Sequence, residues 1–144
     1  MVSTFAQNPE VLLENQSKYS FTETVEKINQ AVTDSGWKVI TTHDMQETMK
    51  KNGKEVLPVK VMELCNLQLA YRILSTDEQR EASVFLPCRI SVYEKADGKT
   101  YISRMNSPVF ANFIGGTAAA VVNEAFEQAE KLVLPLLVTA QSQD

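Results

Sequence analysis

Between Val84 and Asn106 the sequence alternates in a way that leaves few folds open. Cys88, Ile90 and Val92 fall on one side of an extended chain, and Arg89, Ser91 and Tyr93 on the other. Successive side chains of a strand point to opposite faces, so this is the pattern of a half-covered strand from Val84 to Glu94. Lys95-Ala96-Asp97-Gly98 follows, with the Asp-Gly pair that tight hairpin turns favour. Lys99 to Asn106 then returns, with Tyr101, Ser103 and Met105 on one face. Two runs joined by so short a turn pair antiparallel. An antiparallel sheet is therefore the centre of the chain, and its apolar face has to be covered.

Helical spacing supplies the cover. Val25, Ile28 and Val32 recur on one face of a helix that opens at Ser20-Phe21-Thr22-Glu23. Ser20 and Glu23 have capping-box spacing, Thr22 competes as N-cap, and Gly36 closes the helix. A second helix starts at Thr117, carries Val121, Val122, Ala125, Phe126, Ala129, Leu132 and Val133 as a wide apolar stripe, and is kinked or ended by Pro135. Further strands are expected at Lys18–Phe21, Trp37–Thr42 and Val59–Leu64. Asp44 can cap a short helix running to Asn52, and Asn66 one running to Leu74. Residues 76–83 and 107–116 read as loops. Residues 1–16 read as an N-terminal extension with one helical turn from Pro9 to Glu14. Residues 17–140 read as one domain, and residues 141–144 as a frayed tail. The order β-α-β-β-β-β-α, with short helical insertions, predicts an α+β fold of about five strands with two main helices on one face.

The 144 residues, 44% hydrophobic and 22% charged, suffice for a core without disulfides or metal. Fourteen Lys and Arg against eighteen Asp and Glu give a net charge of −4, which argues against nucleic acid as a partner. The longest apolar run, Leu132–Val138, contains Pro135 and falls far short of the roughly 20 residues that cross a bilayer. Met1 to Gln7 lacks the charged and apolar regions of a signal peptide. Cys65 and Cys88 are then expected as thiols in a reducing compartment. The expectation is a cytoplasmic protein with no membrane partner.

Five blocks carry a resemblance. Phe21-Thr22-Glu23-Thr24-Val25 comes first, then Gly36-Trp37-Lys38-Val39 with His43-Asp44-Met45. Val61-Met62-Glu63-Leu64-Cys65-Asn66 with Ala70, then Leu86 to Glu94, and last Asp97-Gly98 complete the series. In this order they resemble the domain of unknown function 302 family, from about residue 17 to the last helix. The resemblance implies a curved antiparallel sheet with helices on one side, similar to TATA-binding-protein-like domains. It implies a mostly bacterial and archaeal distribution and no established activity. The family commonly has proline after the asparagine of the cysteine block, where this chain has Leu67.

Candidate chemistry gathers around Cys65, Cys88, His43 and Asp44, with Glu63 near in sequence. Thiolate and imidazole together suit soft-metal binding or thiol chemistry. They meet only if the strand before His43 runs parallel to Val59–Leu64; a meander puts His43 at the opposite end. Free cysteine is also a common core residue, and Cys88 shares a strand face with Ile90 and Val92. Asp44 or Glu63 could act as acid or base, with Arg89 or Arg104 holding an anion. Gly115-Gly116-Thr117 precedes a helix without the spacing of a nucleotide loop. Met62, Leu64 and Ile102 compete with Val59, Val61, Ile90 and Val92 for one core, a surplus that a homodimer would cover. The favoured expectation is a homodimer that binds a small molecule or partner through its sheet face or a cleft beside Cys65. The candidate ligand-binding residues are Cys65, Asn66, Cys88, Arg89, His43 and Asp44. A thiol or metal protein using Cys65 and Cys88, with or without His43, is the alternative. No motif specifies a reaction, a metal site or a cofactor.

Overall fold

A computed structural model describes residues 10–139. The tail at 141–144 and the start of the expected turn at Pro9 lie outside the described residues. Five strands, β1 (Leu12–Gln16), β2 (Lys38–Asp44), β3 (Val59–Cys65), β4 (Cys88–Glu94) and β5 (Thr100–Met105), form one sheet in the order β1-β5-β4-β3-β2. Every neighbouring pair is antiparallel. The helices are α1 (Phe21–Asp34), α2 (Met45–Lys51), α3 (Leu67–Leu74), α4 (Asp77–Arg80), α5 (Ser107–Ile114) and α6 (Gly116–Val133). Tighter 3-10 turns occupy Glu81–Phe85 and Leu134–Leu136. This is the expected α+β arrangement, with α1 and α6 as the long helices.

Three local expectations are corrected. Leu12–Gln16 is a strand of the sheet, so the folded unit begins before residue 17 and the helical turn is absent. Its strand state comes from pairing with β5, a distant partner that local pattern does not reveal. Lys18–Phe21 is not a strand, because Ser20 is the N-cap of α1 and its hydroxyl accepts from the Glu23 amide at 3.2 Å. The two expected loops are helical. Pro108 lies in the first turn of α5, where a missing N–H forfeits no helical bond. Residues 77–85 form α4 and a 3-10 turn.

The core lies on the face of the sheet covered by α1, α3 and α6. Met62 pairs with Ile90, and Val92 with Ile102. Residues opposite one another in a ladder share a face. Met62, Leu64, Ile90, Val92 and Ile102 are accordingly all buried together, against Ile28, Val32, Ile73, Val121 and Val133. Only Val59 and Val61 of the seven competing strand residues lie on the open face, which removes the apolar surplus expected there. That face carries a polar and aromatic network instead. Tyr93 and Tyr101 stack with centroids 6.3 Å apart. Glu14 accepts from the Tyr93 hydroxyl and from Lys95 Nζ at 2.8 Å. Tyr101 donates to Asp97 at 2.6 Å.

Candidate functional site

Ala125 and Ala129 stand one turn apart on the buried side of α6, where short side chains leave space above the sheet. A cavity of about 230 Å³ fills it. Its walls come from Phe85, Leu86, Phe110, Val122, Ala125 and Phe126, so it is mainly apolar. Cys88, Arg104 and Glu130 also line it.

Arg89 and Ser107 line it too, and Arg104 and Glu130 are its buried polar feature. Arg104 alternates onto the covered face of β5, and its side chain is 7% exposed; that of Glu130 is 14% exposed. Arg104 Nε donates to Glu130 Oε2 and Nη2 to Oε1, both at 2.8 Å. Two parallel bonds make this a bidentate pair. Arg104 Nη1 donates to Asn15 Oδ1 at 3.0 Å and reaches the Leu13 and Ile102 carbonyls at 3.4 Å. One guanidinium thus joins β1, β5 and α6.

The expected residues divide into separate places. Cys88 and Arg89 line the cavity beneath α6. Cys65 and Asn66 line only a small one of about 20 Å³, which Cys88 also touches. Both thiols are free. Burial pushes Cys88 up to about 11, with the nearby Cys65 adding to the rise. Burial also raises Cys65. Neither thiol is therefore activated at neutral pH. Asn66 caps α3: its Oδ1 accepts from the Gln68 and Leu69 amides at 3.0 and 3.1 Å. Its Nδ2 donates to Gln128 on α6 at 3.1 Å, and Trp37 Nε1 donates to the same oxygen at 3.2 Å.

His43 does not join the thiols. The meander puts it opposite Val61, while Cys65 sits opposite Lys38 at the far end of β2. His43 Nε2 lies 2.9 Å from Glu63 Oε2, and Arg89 Nη2 approaches the same oxygen at 3.5 Å. The three form an open-face cluster. Asp44 caps α2, its Oδ1 accepting from the Glu47 amide at 2.9 Å. Among the described residues, no three His, Cys, Asp or Glu side chains are grouped to hold a metal ion. No helix among them is long and apolar enough to cross a membrane.

Sequence reasoning named Arg104 but not its partner Glu130, nor the walls from Phe110 and Phe126. One signal was available: no charged residue occurs between Arg104 and Glu124. An uncharged stretch of that length leaves a buried arginine dependent on a partner farther along α6.

Comparison with known proteins fits this architecture. The crystal structure of the uncharacterized conserved protein DUF302 from Bacillus stearothermophilus has a similar fold, with a TM-score of 0.73 at 22% sequence identity. The alignment covers 89% of this chain and 97% of that one. No curated protein matches the sequence. The family model described as "Domain of unknown function DUF302" matches residues 13–134, from β1 to the end of α6. The chain belongs to the DUF302 family.

Proposed function

We propose that this chain binds a small, mainly apolar molecule in the cavity beneath α6. The observation that carries the reading is an apolar space of about 230 Å³ with a buried ion pair in its wall. An apolar cavity of about 150 Å³ stays dry and takes benzene. This larger one has room for a ring and a short chain. The space beside Cys65 is about 20 Å³, too small for such a guest. The open sheet face is occupied by its own hydrogen bonds. Ligand binding is therefore better supported on the Cys88 side of the sheet than in the cleft beside Cys65. Thiol chemistry draws no support from two thiols with raised pKa values.

Thermal unfolding with phenylpropanol tests the reading. Millimolar ligand is expected to raise the melting temperature, since a molecule that binds only the folded state stabilises it. Ala125→Phe fills the cavity and is expected to abolish the rise, while its own cooperative transition reports folding. No rise in the wild-type chain, or an equal rise in the variant, refutes the proposal.

Self-association is a second reading. Val84 and Met105 line the cavity yet are 80% and 42% exposed, and Phe113 of α5 is 86% exposed. Exposed large apolar side chains such as these suit a contact with a second copy. Light scattering at micromolar concentration is expected to report a dimer; a strict monomer removes this reading.

A further inference from the structure

We infer that the cavity selects uncharged guests carrying a hydroxyl group, and that the Arg104–Glu130 pair is the selecting element. This rests on the cavity being a binding site. The pair lines a space whose other walls are mainly apolar. Both members are largely buried and hold each other bidentately, so their charges cancel locally. A carboxylate entering the cavity would lose its water and meet Glu130. An ammonium group would lose its water and meet Arg104. Neither finds a free countercharge in the pair, the exposed guanidinium of Arg89 at the wall is turned to Glu63 at 3.5 Å, and burying an uncompensated charge is strongly unfavourable.

The hydrogen-bond inventory narrows the guest further. Arg104 Nη2 directs one of its two N–H groups to Glu130 Oε1. Arg104 Nη1 is committed to Asn15 and two backbone carbonyls. Each Glu130 oxygen accepts one bond from Arg104, and a carboxylate oxygen can accept two. The pair therefore retains one donor on Nη2 and acceptor capacity on the carboxylate. A hydroxyl matches both, because it donates once and accepts. A hydrocarbon lacking it fills the walls but leaves this capacity unused.

The test is calorimetric titration of the full chain at neutral pH with phenylpropanol, phenylpropanoate and phenylpropylammonium. These share one apolar body and differ in head group. Phenylpropanol is expected to bind at least about tenfold more tightly than either ion. Glu130→Gln removes the negative charge and leaves Arg104 uncompensated. It is expected to gain phenylpropanoate binding and reverse the order of the alcohol and the acid. If Glu130→Gln does not fold, the wild-type series decides alone. Equal or tighter binding of either ion by the wild-type chain overturns the selectivity while leaving the cavity as a site. Binding by none of the three overturns the cavity reading as well.

Discussion

Removing Glu130 tests whether the ion pair is as buried as its geometry says. In Glu130→Ala, Arg104 loses two bonds of 2.8 Å and, among the described residues, its one carboxylate partner. It keeps Asn15 Oδ1 at 3.0 Å and two carbonyls at 3.4 Å, which hold its hydrogens but not its charge. Breaking one side of a buried pair costs about 3–5 kcal/mol. The adjoining cavity leaves room for water beside the orphaned guanidinium, which points to the lower end, about 3 kcal/mol. Arg104→Met strands Glu130 in the same wall and also removes the side-chain bonds from β5 to Leu13 and Asn15 of β1, so a loss at least as large is expected. The double variant Arg104→Met/Glu130→Leu leaves no buried charge and fills similar volume. It is expected within about 1 kcal/mol of the wild type, because replacing a whole pair by apolar groups is often near neutral. Urea unfolding with an unchanged m value is the assay. Single variants within about 1 kcal/mol of wild type, or a double variant equal to the sum of the singles, would refute the reasoning.

Three further outcomes follow from other parts of the fold. Asn66→Ala removes the cap of α3 and its tie to Gln128, and is expected to lower stability by about 1–2 kcal/mol in urea, whereas Asn66→Asp keeps the cap acceptor and loses less. Gly115 joins α5 to α6 at φ +71° and ψ 174°, a region essentially reserved for glycine, with no atom within 4 Å of an added Cβ, so Gly115→Ala is expected to cost about 1–3 kcal/mol through backbone strain alone, read as a lower melting temperature. Cys88 holds its proton up to about pH 11, while in the unfolded chain it releases it near the ordinary value of 9.0. Between these values the unfolded state binds fewer protons, so stability falls as pH rises; Cys88→Ala is expected to flatten that fall in urea titrations, and an unchanged slope would count against the burial of the thiol.

Those elements that rest on neighbours in sequence are legible from it. The Asp97-Gly98 turn, the Ser20 cap, and Asp44 and Asn66 as N-caps all stand where spacing predicts them. Each is a contact within a few residues, so the cause and the pattern lie in one window. β1 is the contrary case. Leu12-Leu13-Glu14-Asn15-Gln16 has no apolar alternation and reads as a polar extension. What makes it a strand is its ladder with β5, together with Arg104 reaching the Leu13 carbonyl and the Asn15 side chain. These partners lie about ninety residues away, beyond any local rule. α5 fails differently. Pro108 has two meanings, a break inside a helix or a start at its first turn, and only the backbone decides between them.

The site depends on a quantity the sequence carries only within each strand, its phase. Alternation correctly puts Cys88, Ile90 and Val92 on one side and Arg89, Ser91 and Tyr93 on the other. It does not say which side of β4 faces Met62 and Leu64 of β3. A slip of one residue in that pairing would turn every side chain of the strand over. With Met62 opposite Ile90, the apolar residues collect under α6, and Arg104 is carried to the same side by its pairing with Ile90. A charged residue on the covered face must find a countercharge there, and α6 supplies Glu130 one residue after Ala129. The alanines that leave room for the guanidinium leave room for the cavity as well. The register that fills the core on one side of the sheet is therefore the same register that puts a buried ion pair in the wall of the cavity built across it, and the side chains of Glu63, His43 and Arg89 meet on the other face.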